Sequence, residues 1–300
     1  MEKAAPRVSV ITPTYNRADF LGEAIDSMLA QTFDDFEMII VDDGSTDGTR
    51  ALVEQYSDDP RIRCFFQENQ GQSVARNLGI GKSTGEFICF LDSDNVWLPE
   101  RLERSLAAFE GDPSADIVYA DNITIDEHGR EIGRDAMPRY SGRITHQLLK
   151  DNFVSINTTM IRRHCLEAMG GFSPDDRLAE DYSLWLRLST RYAFRYVPEF
   201  WSKYRVMDDQ ISSDKDKRFW SNERLLRQFL GDFPDSVTRT QARRGMSFFY
   251  TRKARYEHSV GRMVAAWRTC LRAAWLFPFW QGPWRTMVVL LLKPAGKAIE

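Results

Sequence analysis

The first 120 residues alternate between two patterns of hydrophobic positions. Short runs rich in β-branched and aromatic residues indicate strands, which we predict at 7–12, 36–42, 61–66, 86–91 and 116–120. Between them, apolar residues recur at three- and four-residue intervals, which predicts helices at 18–31, 47–57, 71–82 and 99–110. Strands that alternate with helices are typical of an α/β fold with a mostly parallel, Rossmann-like sheet flanked by helices.

After residue 120 the alternation becomes weaker. The segment 121–140 predicts a strand, a turn and a loop, and 152–163 predicts another strand followed by a short helix. A further helix is predicted from 179 to 192, where apolar residues share one face. Beyond residue 212 the pattern is helical to the end of the chain.

Composition describes an ordinary folded chain, because 43% of its 300 residues are hydrophobic and 28% are charged. The four cysteines form no CxxC pair, which argues against a zinc site or a disulfide framework and favours a reducing compartment. The N-terminal segment has no apolar stretch of the kind found in signal peptides. We therefore expect a cytoplasmic protein. No nucleic-acid partner is expected.

Charge is unevenly distributed along the chain. The net charge is −3, but residues 241–300 contain eleven Lys and Arg against two acids, so the first 240 residues have a net charge of −12. The same segment holds four of the eight tryptophans. Interleaved basic residues and tryptophans favour a helix that lies on an anionic membrane surface, which would be the inner face of the cytoplasmic membrane. The alternative is a helical appendage that packs on the main domain and exposes a basic face to water.

Acidic residues follow two of the predicted strands. Asp42 and Asp43 end one strand, and Asp92 and Asp94 follow another. In such sheets, ligands bind at the carboxyl ends of the strands. Two carboxylates in one cleft repel each other unless a cation is present, and Mg²⁺ or Mn²⁺ completes its ligand shell with phosphate oxygens and water. The Asp-Ser-Asp triplet therefore predicts a site for a divalent metal and a diphosphate, although such a triplet alone recurs by chance.

Two other motifs are rejected. The triplet Gly-Lys-Ser at 81–83 suggests a P-loop, but Arg76 replaces the glycine required five residues earlier, and the segment precedes a strand instead of following one. Residues 43–54 nearly match a calcium-binding EF-hand loop, but the preceding segment is too short and too β-branched to be the entering helix. Asp47 is better explained as a cap of the next helix.

Four longer motifs occur in a specific order. They are VSVITPTYNRADFLGEAIDSMLAQTFDDFEMIIVDDGSTDGT, ENQGQSVARNLGIGKSTGEFICFLDSDNVWLPERL, GGFSPDDRLAEDYSLWLRLS and VPEFWSKYR. In this order and at this spacing they closely resemble the inverting glycosyltransferases of family 2, which have the GT-A fold. The resemblance is strong over residues 7–105, the nucleotide-sugar-binding half, and resumes at 170–189 and 197–205.

The resemblance implies roles at the nucleotide. Pro13 and Tyr15 would line the nucleobase site, with Tyr15 stacked on the base, although Tyr15 could instead be a packing aromatic. Asp43 would hydrogen-bond the base imide, and Asp42 would support Asp43. Gly71 would allow the ligand to approach the backbone closely.

It also implies roles at the diphosphate and the metal. Gln72 and Arg76 would reach the ribose or the diphosphate, although Arg76 could instead pair with a nearby acid. Asp92 would contact the ribose or a metal-bound water, with Ser93 beside the nucleotide. Asp94 would bind Mn²⁺ or Mg²⁺ directly.

Glu180 and Asp181 match an acidic pair of the family in which one carboxylate is the general base. Such a base takes the proton of the acceptor hydroxyl as its oxygen attacks the anomeric carbon from the face opposite the diphosphate, which implies inversion. Alternatively, the two acids begin a helix and favour its dipole. We expect Asp181 to be the base, with Glu180 as the alternative.

Two positions depart from the family pattern. Met207 occupies the place of a histidine that serves the metal or the diphosphate, and a thioether is a poor ligand for Mg²⁺ or Mn²⁺. Asp208 or water could replace it. Asn95 stands where an acid is common.

Together these observations predict a metal-dependent, inverting glycosyltransferase that uses a nucleotide-sugar, most simply a UDP-sugar, in glycan or surface-polysaccharide assembly. Residues 1–110 would bind the donor, 111–205 would bind a glycan or lipid-linked glycan acceptor, and 206–300 would form a C-terminal helical region, with peripheral membrane contact through 241–300. Two alternatives are a sugar-nucleotide pyrophosphorylase, which would need a glycine-rich basic loop after the first strand, and a non-catalytic nucleotide-sugar-binding or scaffold protein.

Overall fold

The computed structural model describes residues 5–176, 178–207 and 214–292. The chain divides into two compact units. The first consists of the described residues within Met1–Arg143 and Phe153–Ser213, and the second of those within Ile144–Asn152 and Asp214–Glu300. The predicted domain boundaries at 110 and 205 fall inside the first unit and stay predictions.

One mixed sheet forms the centre of the first unit. Its strands within the described residues are β1 (Val8–Thr14), β2 (Phe36–Asp42), β3 (Ile62–Phe66), β4 (Phe87–Phe90), β5 (Val96–Trp97), β6 (Ile117–Ile125), β7 (Glu131–Arg134), β8 (Met160–Arg162) and β9 (Phe194–Arg205). They lie in the order β3-β2-β1-β4-β8-β6-β9-β5, with β7 paired to β6. β1 to β4 are parallel to one another, β6 is parallel to β9, and β5, β7 and β8 are antiparallel to their neighbours.

Helices connect these strands and form most of the second unit. In chain order they are α1 (Ala18–Leu29), α2 (Thr49–Glu54), α3 (Gln72–Lys82), α4 (Arg101–Gly111), α5 (Thr145–Leu148), α6 (Arg163–Met169), α7 (Glu180–Ser189), α8 (Lys215–Asp232), α9 (Arg239–Ser259), α10 (Met263–Leu276) and α11 (Gln281–Leu292). α5 and α8 to α11 belong to the second unit.

The predicted α/β core is confirmed. All seven residues of β1 and all seven of β2 are buried, as expected for central strands covered by helices on both faces. Both β2 and β4 pair with β1 in parallel. Asp42 at the end of β2 and Asp92 just beyond β4 therefore lie at the same edge of the sheet, as the sequence predicts.

Two parts of the chain differ from the prediction. The prediction of a strand at 152–163 is wrong for most of that segment. Only Met160–Arg162 is a strand, and Ile156–Thr158 forms a 3-10 turn. The hydroxyl of Thr158 donates to the carbonyl of Ala120 (2.9 Å), so side-chain hydrogen bonds replace a strand ladder here. The twelve-residue strand β9 was not predicted, because its buried and exposed positions do not alternate regularly.

Asp47 lies one residue before Gly48, the N-cap of α2, and its side chain stabilises the start of that helix, as the sequence predicts. One of its carboxylate oxygens accepts from the N–H of Thr49 at the start of α2 (2.9 Å), and the other accepts from the N–H of Ala18 at the start of α1 (3.2 Å). The N–H groups of a helix's first turn have no partner within the helix. One carboxylate therefore stabilises the beginnings of two helices.

The predicted helical C-terminal region is confirmed for residues 214–292. α9 packs on α10 and α11 through a small core of Ala254, Ala266, Cys270, Met287 and Leu290. Within the described residues, no helix combines the length and the apolar character that a membrane crossing requires.

We predict that Gly79→Ala lowers the free energy of unfolding by about 1–3 kcal/mol, because overpacking a core contact costs this much. A Cβ at Gly79 would overlap the side chain of Ile11, so α3 would have to move away from β1. Gly81 on the same helix is a matched control, since a Cβ there meets no atom within 4 Å. Gly81→Ala should stabilise the chain by about 0.5–1 kcal/mol through helix propensity. Urea unfolding of both variants measures the effects, and a loss of similar size in each would contradict the prediction.

Candidate active site

The loop after β1 is held to the loop after β2 by one asparagine. The N–H of Asn16 donates to the hydroxyl of Ser45 (2.9 Å), and the side-chain oxygen of Asn16 accepts from the N–H of Thr46 (2.8 Å). Asn16 has φ 49°, a left-handed conformation that asparagine adopts more readily than most residues. The turn leaves the side chain of Tyr15 exposed, whereas Pro13 is buried near the end of β1. Stacking of Tyr15 on a base stays a prediction.

The acids at the end of β2 hold neighbouring loops in place. Asp42 accepts from a backbone N–H of the following turn (2.9 Å). Asp43 accepts from the side-chain amide of Gln67 (2.7 Å), from the N–H of Gln70 (2.9 Å) and from the N–H of Gly71 (2.8 Å). A carboxylate has about four acceptor positions, so these three bonds leave one position of Asp43 unused, although Asp43 is only 3% exposed.

α3 begins at a turn that requires glycine. Gly71 has φ 92°, which L side chains rarely adopt, and a Cβ there would meet no atom within 4 Å. The backbone conformation explains the glycine, and close approach of a ligand stays a prediction. Gln72 and Arg76 follow on successive turns of α3 and therefore project from the same face of the helix.

The guanidinium of Arg76 joins two acids that are far apart in the sequence. One terminal nitrogen donates to Asp92 Oδ1 (2.7 Å), and the other donates to Glu180 Oε1 (3.0 Å). The side-chain amide of Gln72 donates to the same Glu180 oxygen (2.6 Å). Arg76 is only 2% exposed, and its guanidinium lies over the ring of Phe172 (5.3 Å).

This arrangement makes Arg76 a fixed buried cation. Burial lowers the pKa of Arg76, but the carboxylates of Asp92 and Glu180 outweigh it and raise that pKa above the ordinary value. Arg76 therefore pairs with acids, which is the alternative that the sequence allows. Contact of Gln72 and Arg76 with ribose or diphosphate stays a prediction.

Asp92 is held from a second side by Asn157. The N–H of Asp92 donates to Asn157 Oδ1 (2.9 Å), and the amide of Asn157 donates to Asp92 Oδ2 (2.8 Å). Asn157 lies on the 3-10 turn at Ile156–Thr158 and is buried. The sequence gives no signal for it, because it lies 65 residues from Asp92 in a segment predicted to be a strand. Ser93, between the two aspartates, is also buried.

The second aspartate of the triplet lies beside a different arginine. The carboxylate of Asp94 is 4.0 Å from Nε of Arg17. The backbone carbonyl of Asp94 accepts from Nε of Arg205 at the end of β9 (2.9 Å). The side chain of Asn95 accepts from the N–H of Arg205 (2.8 Å). Asn95, which departs from the family pattern, thus anchors the end of β9.

The carboxylates of Asp92 and Asp94 form a donor set that fits a divalent metal. Both oxygens of Asp92 already accept hydrogen bonds, so Asp92 suits a contact through water. Carboxylate oxygens are the hard donors that Mg²⁺ and Mn²⁺ prefer, and the remaining ligands would be water and phosphate oxygens. Met207 offers a thioether, and Asp208 lies outside the described residues.

Another group of possible metal ligands lies at the opposite edge of the sheet, where β6 begins. Asp116, His164 and Cys165 each place one ligand atom within 4.8 Å of the others. However, burial raises the pKa of the Cys165 thiol to about 12, so the thiolate that a metal needs is disfavoured. Asp116 also accepts from the N–H of Ala193 (2.9 Å). This group fits a structural contact between β6 and α6.

The two acids at the start of α7 have different surroundings. Glu180 is buried, and burial raises its pKa to about 7, while Arg76 lowers that pKa and Asp181 raises it further. Asp181 is partly exposed, and its carboxylate accepts from the N–H of Tyr182 (2.6 Å). Asp181 is therefore the more accessible of the two to solvent.

A second contact fixes α3 to the segment that leads into α7. The side-chain amide of Asn77 donates to the carbonyl of Phe172 (2.7 Å), and the N–H of Phe172 donates back to Asn77 Oδ1 (2.9 Å). Arg187 on α7 donates to the carbonyl of Gly171 (2.5 Å). These residues lie inside motifs quoted from the sequence, but their mutual contact was not predicted, since sequence spacing does not show pairs 95 residues apart.

Known proteins are similar to this chain in sequence. The model of Glycosyl transferase family 2 matches residues 9–170. TuaG of Bacillus subtilis, assigned provisionally to teichuronic acid biosynthesis, is 35% identical over 215 residues, which is 70% of this chain and 83% of TuaG. WfgD of Escherichia coli, a UDP-Glc:alpha-D-GlcNAc-diphosphoundecaprenol beta-1,3-glucosyltransferase, is 32% identical over 235 residues, 76% of this chain and 87% of WfgD. An uncharacterized glycosyltransferase of Rickettsia bellii is 33% identical over 206 residues, but the chain covers only 30% of its length.

Solved structures share the fold at low sequence identity. S. aureus TarS 1–349 in complex with UDP-GlcNAc has a TM-score of 0.62 at 19% identity, over 90% of this chain and 89% of that one. Mannosyltransferase PcManGT from Pyrobaculum calidifontis, in complex with GDP-Man and Mn²⁺, has a TM-score of 0.54 at 18% identity, over 98% and 77% of the two chains. Likeness at these identities shows a common fold.

We predict that the effect of Glu180→Gln on stability depends on pH. The pKa of Glu180 rises from 4.5 to about 7 in the folded chain, so folding favours the protonated acid. The resulting stabilisation is complete below pH 4.5 and is lost as the pH rises through 7, whereas glutamine does not titrate. The unfolding free energy of the wild type minus that of the variant should fall by about 1–3 kcal/mol across this range.

Guanidinium unfolding at the two ends of the range measures this difference. Glu68→Gln, at an exposed position, is the control and should give the same difference at both pH values. A pH-independent difference for Glu180→Gln would show that folding does not raise the pKa of Glu180.

Proposed function

The chain belongs to glycosyl transferase family 2 and has the GT-A fold expected from its sequence, and on that premise we propose that it transfers a sugar from a UDP-sugar to an acceptor hydroxyl with inversion. The observation that best supports this is the pairing of Arg76 with both Asp92 and Glu180. It brings together the acid that follows β4 and the acid that begins α7. Residues for the donor and residues for the acceptor would therefore share one cleft.

The nucleotide would bind at the loops after β1 and β2. Tyr15 would stack on the base, and Asp43 would accept from the base imide with its remaining acceptor position. An imide N–H is present in uracil and thymine and absent from cytosine and adenine, so this contact is compatible with UDP and not with CDP or ADP. TarS is described with UDP-GlcNAc and WfgD is named for UDP-Glc, which also supports a UDP-sugar.

A divalent cation, Mn²⁺ or Mg²⁺, would be held by Asp94, with Asp92 in contact through water. Such an ion offsets the negative charge of a departing diphosphate. PcManGT is described with Mn²⁺, which supports a metal in this fold without naming the ion used here. Arg17, next to Asp94, would then lie close to the diphosphate.

Asp181 would act as the general base. Its carboxylate would take the proton of the acceptor hydroxyl while that oxygen forms a bond to the anomeric carbon and the bond to the diphosphate breaks. Attack from the face opposite the leaving group inverts the configuration in one step. Glu180 would keep its ionic contacts with Arg76 and position Asp181 at the start of α7.

The acceptor would be a glycan, and we favour one attached to a lipid through a diphosphate. WfgD, which is named for such an acceptor, aligns with 76% of this chain. The proposed context is assembly of a surface polysaccharide, with region 241–300 in contact with the membrane.

We predict that UDP with Mn²⁺ raises the thermal midpoint by about 5 °C or more at saturation, the shift expected for a ligand at about 100 times its dissociation constant. GDP, ADP and CDP should give smaller shifts. Asp94→Asn should abolish the dependence on metal, because an amide is a weaker ligand for a hard cation. Asp235→Asn, an exposed acid in the second unit, is the control. If no nucleotide shifts the midpoint, a non-catalytic scaffold becomes the better hypothesis.

We predict that Asp181→Asn lowers turnover by about 10²–10⁴-fold while the shift with UDP is retained, because only the proton acceptor is lost. Turnover is measured as UDP released from UDP-glucose or UDP-GlcNAc with a synthetic lipid diphosphate that bears GlcNAc. Glu180→Gln is the comparison and should lose less. The reverse order would make Glu180 the base.

A further inference from the structure

Two consecutive helices of the second unit expose large apolar side chains. α10 exposes Leu271 and Trp275, the turn that follows exposes Phe279, and α11 exposes Trp284, Val288 and Leu291. We call this set the α10–α11 face. Trp275 is 76% exposed and Phe279 is 91% exposed, which is unusual for aromatic side chains in a folded chain.

The face is the outer side of helices whose inner side is already packed. On α10 the buried residues Ala266, Cys270 and Ala273 recur at helical spacing, and Leu271 and Trp275 occupy the opposite stripe. On α11 the buried residues are Pro283, Thr286, Met287 and Leu290. Each helix therefore has one side packed in the core and one side with apolar residues exposed to water.

The exposed charged residues on α10 and α11 themselves are all arginines. From residue 258 to residue 299 the sequence contains no Asp or Glu. Arg268 on the outer stripe of α10 and Arg285 on α11 are exposed, and neither has a carboxylate partner within the described residues. Arg272, also exposed on α10, pairs with Glu223 (3.5 Å). The face therefore combines exposed apolar side chains with two arginines, Arg268 and Arg285, whose charges are not balanced by nearby acids in the described part of the chain.

We infer that the α10–α11 face lies in the interfacial region of an anionic membrane, with Trp275, Phe279 and Trp284 among the headgroups and upper acyl chains. Tryptophan and phenylalanine favour this depth, and arginine favours anionic headgroups. A helix with one packed side and one apolar side lies in the plane of such an interface. This inference extends the proposed function, because a protein on the membrane surface would be close to a lipid-linked acceptor. It rests on the proposed function only for the identity of that acceptor.

Charge argues against a second copy of the chain as the occupant of this face. A twofold interface would bring the same arginine-bearing surface of two chains together without acids to balance it. Like charges at an interface are repulsive, whereas an anionic lipid surface is complementary.

The test is flotation of the full chain with vesicles of phosphatidylcholine that contain about 30% phosphatidylglycerol, compared with pure phosphatidylcholine. Wild type should bind the anionic vesicles and bind less at high salt. Arg268→Gln with Arg285→Gln should lower the partition coefficient by roughly 25-fold, about fivefold for each positive charge removed. Trp275→Ser with Phe279→Ser should lower it at least about tenfold, because two large apolar groups no longer leave water.

Trp220→Ser is the matched control, since Trp220 is 64% exposed on α8, outside the face, and its loss should leave partitioning unchanged. The inference is overturned if wild type does not bind anionic vesicles, or if the Trp220 and Trp275 variants lose binding equally. It is also overturned if sedimentation shows a dimer that Trp275→Ser dissociates while vesicles are not bound.

The UDP thermal shift, measured on the same variants, separates this inference from the proposed function. Variants of the α10–α11 face should keep the shift. Vesicle binding without a nucleotide shift would contradict the transferase alone, and a nucleotide shift without vesicle binding would contradict the membrane contact alone.

Discussion

The buried guanidinium of Arg76 is the constraint on which the geometry of the site depends. It balances the charges of Asp92 and Glu180, and it receives a further contact from the ring of Phe172. Removal of one member of a buried ion pair costs about 3–5 kcal/mol, since the remaining charge is left without compensation. Loss of Arg76 would leave two carboxylates near each other in a buried place. The turn after β4 and the start of α7 would then separate or take up protons.

The other acids of the site also serve as acceptors for the chain's own N–H groups. Asp43 accepts three hydrogen bonds from the loop before α3, and Asp92 exchanges two with Asn157. These bonds fix the loops before a ligand arrives, so less conformational freedom remains to be lost on binding. They also leave each acid with limited capacity for new partners. At the start of α7, Asp181 is partly exposed whereas Glu180 is buried, so Asp181 is the acid of this pair that a ligand reaches more easily.

The sequence predicts the parallel half of the sheet well and the rest of the site poorly, for a physical reason. β1, β2 and β4 are short apolar runs with helices between them, so hydrophobic period alone locates them and places Asp42 and Asp92 at one edge. The resemblance to the family additionally predicts which residues contact the ligand. Neither the hydrophobic pattern nor the resemblance shows which residues that are far apart in the sequence are in contact in the fold. Asn157 with Asp92 and Asn77 with Phe172 are pairs of polar groups joined only by folding, and Asn95, a departure from the family pattern, proved to anchor β9.

The arginines of the two units illustrate how burial decides the role of a charge. Arg76 and Arg205 are each 2% exposed, and their terminal guanidinium nitrogens donate to carboxylates and backbone carbonyls of their own unit. Such cations organise a site but have little electrostatic effect outside it. Arg268 and Arg285 are exposed, beside apolar side chains and in a stretch without acids. Their field extends into solvent over about a Debye length, roughly 8–10 Å at physiological salt. Composition alone counts all four equally, and only the fold separates those that stabilise the site from those that remain available to an anionic surface.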